Sequence, residues 1–181
     1  MPRRSSIFKM MILLFLLMCS GMRMPLSAQQ DTGHIQNVEA VFIYHFTKYI
    51  QWMDEDSSEF TIGLVGDTQV LEPLAEIAQR QHVRRKEIRV CPIANMDEIE
   101  SCQVVFVSRS GEEQLNGIIR RSQNRNILII SEIEGALESG VMINFLLLQE
   151  TVKFEINLRA MKQAGFQPSS ELLKLAVRVI E

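Results

Sequence analysis

No stretch of this chain is apolar for long enough to cross a bilayer, which takes about 20 residues. The longest such run is Met10 to Cys19. Metal-ligand spacing is missing too: His34, His45 and His82 are scattered, with neither H-E-x-x-H nor C-x-x-C. G-x-S-x-G does not occur, and the sequence suggests no Cys–His pairing. The loop Gly63-Leu64-Val65-Gly66-Asp67 has two glycines but lacks the third of the dinucleotide fingerprint. Metal, nucleophile and nucleotide chemistry are all without a motif. The chain reads as a protein without a cofactor and not as an enzyme.

Clustered basic charge is also scarce. What there is at the start has a known use: Arg3 and Arg4, Lys9, the apolar run and then Pro25-Leu26-Ser27-Ala28 are the parts of a secretory signal peptide. The expectation is a leader over residues 1–28 and one exported, periplasmic domain over 29–181, with no membrane insertion after cleavage. Removing Arg3, Arg4, Lys9 and Arg23 from 19 basic residues leaves 15 against 22 acidic ones, a net charge of about −7. Nucleic acid and anionic membranes reward clustered Lys and Arg, so neither is expected as a partner. The one basic run, Arg84-Arg85-Lys86, reads as a solvated turn before a strand.

Cleavage also leaves two of the three cysteines, Cys91 and Cys102. An even pair in an oxidising compartment can bridge. Cys91 reads as the end of one strand and Cys102 as the start of the next, and parallel neighbours would hold those ends apart. A bridge and two buried thiols both stay open.

What is present is alternation. His34 to Trp52 reads as a helix whose stripe is Val38, Val41, Phe42, His45, Tyr49 and Trp52, widened by Phe46 and Ile50, which puts His45 on the apolar face. Strands follow at Phe60 to Val65, Glu87 to Ile93, Gln103 to Val107 and Asn126 to Ile130. Helical segments separate them at Val70 to Gln79, Met96 to Ile99 and Glu112 to Arg121. This spacing predicts a single three-layer α/β domain with a largely parallel, Rossmann-like sheet.

Val141 to Leu148 and Val152 to Asn157 depart from that scheme. Gln149-Glu150-Thr151 is too short for a crossover, so the two strands form an antiparallel hairpin. Asn157 then caps a short helix ending at Gly165. A last helix follows Pro168, with Leu172, Leu175, Ala176 and Val179 inward.

Open parallel sheets bind ligands beyond the carboxyl ends of their strands. Here those ends carry Gly66 and Asp67, Ser108 and Arg109, and Ser131 and Glu132. They make a candidate crevice for a small ligand. Arg109, just before the helix at Glu112, is the residue in it that could hold an anion.

Three stretches carry a family resemblance. Val38 to Trp52, with Phe42, Tyr44, Phe46 and Trp52, resembles the opening helix of the YfiR family of exported bacterial proteins. Ser101 to Ser108 is similar to that family's C-x-x-x-F-x-S strand. The closing stretch is the most specific: Asn144, then Phe154-Glu155-Ile156-Asn157, then Leu172-Leu173-Lys174-Leu175-Ala176.

The resemblance implies a periplasmic repressor of a membrane signalling protein. Its best-known members bind the periplasmic domain of an inner-membrane diguanylate cyclase and lower cyclic di-GMP and biofilm formation. An outer-membrane lipoprotein and redox state relieve the repression, and a homodimer suits a dimeric receptor. Cys102 matches the family cysteine, but the first strand offers Ile62-Gly63 where the usual partner stands, so Cys91 is the available substitute. A small-ligand sensor using the strand-end crevice is the alternative reading.

Overall fold

Eight strands hydrogen-bond into one sheet, and its two faces are dry because its central strands alternate between two cores. A computed structural model describes residues 28–52 and 57–181. The expected leader lies outside the described residues, apart from Ala28.

The elements in chain order begin with α1 (Ala28–Tyr49), β1 (Ile50–Gln51), β2 (Glu59–Val65) and α2 (Leu71–Arg80). Next come β3 (His82–Val83), β4 (Lys86–Pro92), β5 (Val104–Val107), α3 (Glu112–Ser122) and β6 (Leu128–Ser131). The chain closes with α4 (Ala136–Ser139), β7 (Ile143–Leu148), β8 (Thr151–Asn157), α5 (Leu158–Gln163), β9 (Gln167–Pro168), α6 (Ser170–Leu175) and β10 (Arg178–Ile180).

The sheet order is β10-β8-β7-β6-β5-β2-β4-β3. Strands β4, β2, β5, β6 and β7 are parallel, and β8 turns back on β7 as the expected antiparallel hairpin. Gln149 and Glu150 both take positive φ, 49° and 61°, as a two-residue hairpin turn requires. Side chains of period two then sort themselves. Phe60, Ile62, Leu64, Val104, Phe106, Leu128 and Ile130 face one core, beneath α1 and α2. Val65, Val105, Val107 and Ile129 face the other, beneath α3 and α4. Those two cores are the three-layer architecture.

Three local readings need correction. His45 is exposed, as are Val41 (45 %) and Tyr49 (39 %). The buried face of α1 is Ala40, Ile43, Tyr44 and Phe46, joined by Phe42, so Phe42 and Phe46 of the expected stripe turn inward while His45 does not. The helix is apolar on both sides, so periodicity alone could not choose between them. The aromatic ring contacts chose: Phe46 lies 5.0 Å from Phe154 and 5.8 Å from Phe145, and Phe42 5.5 Å from Phe154.

The helix also ends earlier than its pattern. Ile50-Gln51 pairs with Gln167-Pro168, while Trp52 donates to the Thr47 carbonyl at 2.8 Å and packs edge-on against Phe60 and Phe166. Finally, the last helix stops at Leu175, which is 60 % exposed. Arg178–Ile180 is a strand parallel to β8, introduced by the bond from Val177 N to Phe154 O.

The basic run forms the turn between β3 and β4, with Arg84 and Arg85 at φ 51° and 69°. It is more than a solvated turn. Arg84 Nη1 donates to the Trp52 carbonyl at 3.0 Å, which anchors the chain just past α1.

Candidate functional site

The carboxyl ends of β2, β5 and β6 lie side by side, so the loops leaving them must share a small space. Gly66 is the point of closest approach. Its φ of +88° is left-handed, and a Cβ there would run into Ser108 Oγ, Ser110 Oγ and the Gly111 nitrogen. The Asp67 N–H donates to Ser110 Oγ at 2.6 Å, and the Ser108 and Ser110 hydroxyls lie 3.0 Å apart. The Arg109 N–H donates to Glu132 Oε1 at 3.1 Å. Gly66, Asp67, Ser108, Arg109 and Glu132 are therefore one cluster.

Ser131 is not in that cluster. Its hydroxyl is fully buried and donates to Asn144 Oδ1 at 2.5 Å. An anion held by Arg109 at the start of α3 also loses ground. Glu112 and Glu113 occupy the first turn of that helix, and the Arg109 N–H is already taken by Glu132.

The residue that sequence reasoning missed is Glu39. It sits on the inner side of α1 and is 5 % exposed. Its carboxyl is pushed up to about 7, chiefly by burial and then by the nearby Glu132 carboxylate, with Arg109 opposing them. It belongs to the strand-end cluster across from Arg109 and Glu132. The signal was present as a single acid inside Ile35-Gln36-Asn37-Val38-Glu39-Ala40-Val41-Phe42-Ile43. It was legible only once the buried face of the helix was known.

The two cysteines are free thiols. Cys91 on β4 pairs with Gly63 on β2, which separates β4 from β5. Gly63 supplies the room that Cys102 needs: a Cβ there would stand 2.8 Å from Cys102 Sγ and 2.8 Å from Ile93 Cδ1. Burial pushes the Cys102 thiol up to about 11, with Cys91 as the next cause. Burial raises the Cys91 thiol as well. At neutral pH both are protonated and poor nucleophiles.

The closing signature residues have structural partners. Asn144 Nδ2 donates to Glu155 Oε1 at 3.2 Å, and Arg178 Nε donates to Glu155 Oε2 at 2.7 Å. Arg178 Nη1 reaches Glu138 at 2.9 Å. One chain of polar contacts thus ties β6, β7, β8, β10 and α4 together. Asn157 accepts from the Ala160 N–H as the cap of α5 and donates to the Leu137 carbonyl, both at 2.9 Å. Leu173 packs at the margin of the core. Tyr44, from the opening signature, donates to Gln81 Oε1 at 2.8 Å, which holds α1 to the end of α2. Among the described residues no group of three or more His, Cys, Asp or Glu could hold a metal.

Among solved structures, a conserved domain protein from Vibrio cholerae has a similar fold, at 10 % identity and a TM-score of 0.56 over 80 % of this chain. The ABC domain in complex with L-Trp from Streptococcus pneumoniae is also similar, at 13 % identity and 0.52 over 81 %. At those identities the likeness is one of fold alone, and the chain spans 60 % of the length of each. No curated protein matches it. The YfiR/HmsC-like family model, by contrast, matches residues 36–177. That span runs from α1 to the residue before β10 and takes in Ser131, Asn144 and Glu155 of the polar chain, so the protein belongs to the YfiR/HmsC-like family.

Proposed function

We propose that this protein is a periplasmic repressor that binds the periplasmic sensor domain of an inner-membrane diguanylate cyclase and holds it inactive. Cyclic di-GMP and biofilm formation fall as a result. The observation that carries this reading is the family match over residues 36–177, since that family is periplasmic and regulatory rather than catalytic. Two features support it. Among the described residues no helix is long and apolar enough to cross a membrane. The signature residues Trp52, Asn144, Glu155 and Asn157 make scaffold contacts and leave the outer surface for a partner. An outer-membrane lipoprotein that relieves repression, and a homodimer that matches a dimeric receptor, complete the proposal.

Deleting the gene is expected to raise intracellular cyclic di-GMP and sessile growth, and restoring it to lower both. An unchanged cyclic di-GMP level removes the cyclase as target.

The thiol pair belongs to the same reading. Cys91 and Cys102, free thiols in this structure, bridge beside Gly63 when a disulfide-bearing oxidant of the periplasm takes up their two electrons and two protons, and a pair with raised pKa reacts slowly without a catalyst. Mass spectrometry of exported protein with and without reductant is expected to differ by two hydrogens. Equal masses remove the bridge.

A further inference from the structure

Three helices stop at one hollow. α3 ends at Ser122, α4 at Ser139 and α5 at Gln163, and each of these residues and its successor lines a cavity of about 520 Å³. Small ligands bind in cavities of about 300–1,000 Å³. The buried side of this one is Ile129 on β6 and Met142 just before β7, whose N–H donates to the Ile129 carbonyl at 3.1 Å. The hollow therefore lies at the amino ends of β6 and β7, away from the Gly66 cluster. Left-handed turns at Asn124 (φ 61°) and Gly140 (φ 112°) carry the chain past the ends of α3 and α4.

None of the residues lining this cavity is charged. Gln123, Asn124 and Gln163 each bring an amide and Ser139 a hydroxyl, and all four are exposed. Their side chains make no hydrogen bond among the described residues, so a ligand breaks none by binding them. Each of these groups both donates and accepts. Ile119 and Met142 give the same hollow an apolar side. An anion would meet the carbonyl ends of three helices, where negative charge is disfavoured. A cation would find no carboxylate in the lining, with Arg120 and Lys162 in the last turns of α3 and α5 close by.

We infer that this hollow binds a neutral, hydroxyl-rich molecule of monosaccharide size. The hydroxyls of a pyranose both donate and accept, which matches what the amides and Ser139 offer. Its apolar C–H face lies against Ile119 and Met142. It brings no charge to a site that has no partner for one. The inference does not rest on the repressor reading, because a sugar can bind whether or not a cyclase is the partner.

Amide-resolved NMR titration of the exported protein with glucose, galactose, N-acetylglucosamine, glucosamine and glucuronate tests it. At least one of the neutral sugars is expected to shift the side-chain amides of Gln123, Asn124 and Gln163, with a Kd of about 1 mM or tighter. Cationic glucosamine and anionic glucuronate are expected to bind about tenfold more weakly or worse. Asn124→Gly, which still permits the left-handed turn, and Gln163→Ala are each expected to weaken the sugar about fivefold. Both positions are exposed, and circular dichroism checks that the variants fold. If one does not fold the other decides, and if neither folds the wild-type shifts decide. No shift with any neutral sugar at about 10 mM, shifts confined to another surface, unchanged affinity in the folded variants, or preference for a charged sugar overturns the inference. Cyclic di-GMP levels have no bearing on the titration, so the two readings fail separately.

Discussion

Glu39 and Glu155 are removed from water to the same degree, 5 % and 4 % exposed, and are treated in opposite ways. Glu155 receives Asn144 on one oxygen and Arg178 on the other. Among the described residues Glu39 receives no hydrogen bond, and it shares its space with the Glu132 carboxylate and Arg109. Burying a carboxylate is tolerable only when donors replace the water it loses. Glu155 meets that condition, and its two partners come from the strands on either side of it, β7 and β10. Its role is to hold β10 and α4 in place. Glu39 does not meet the condition, so its position is a cost to the fold. A residue kept at such a cost is the better candidate for function.

Between the two glutamates, the larger effect should come from breaking the satisfied site. Asn144→Ala removes the acceptor of Ser131 and a donor to Glu155 inside a fully buried layer. We expect a loss of about 3 kcal/mol in urea unfolding. A loss below 1 kcal/mol would mean that the polar chain is incidental.

A somewhat smaller effect should come from relieving the unsatisfied site. In the folded protein Glu39 keeps its proton up to about pH 7, against an ordinary value of 4.5. Between those values the folded state binds more protons than the unfolded one, so stability falls as pH rises. The contribution is complete below about 4.5 and is lost as pH passes through 7. Glu39→Gln should therefore flatten the pH profile and exceed wild type by about 2 kcal/mol at pH 8, with little difference at pH 4.5. Parallel profiles for the two proteins would place Glu39 in water.

The smallest effect belongs to the outer side of the same helix. His45→Ala should change stability by less than about 0.5 kcal/mol, because the ring is exposed. Phe46→Ala, on the opposite side, should cost about 4 kcal/mol. A thermal melt of both variants checks the assignment of faces, and similar costs would reverse it.

Much of the fold was legible for local reasons. The runs at Val104 to Val107 and Leu128 to Ile130 are apolar at every position, as strands covered on both faces must be. The hairpin was readable because three residues cannot cross a sheet. Asn157 was readable as a cap because its side chain needs only its own helix. The edge strand β10 was not. Leu172, Leu175, Ala176 and Val179 fit a helical stripe, and three residues become a strand only when β8 offers them partners. Of the candidate crevice, the strand-end residues could be placed from topology. Ser131 could not, because its hydroxyl turned inward to Asn144, and Glu39 could not, because α1 is apolar on two sides.

By itself the sequence determined that the chain alternates strand and helix, where the hairpin turns, and which family it joins. The first two follow from periodicity and short connections, and the family from the resemblance of the opening and closing stretches. Only the tertiary structure decided which side of α1 is buried, and so which of two buried glutamates is paired. That choice depends on ring contacts with Phe145 and Phe154, about 100 residues away along the chain. Hydrophobic burial is non-directional. A helix with two apolar sides therefore carries no local instruction about which one to hide.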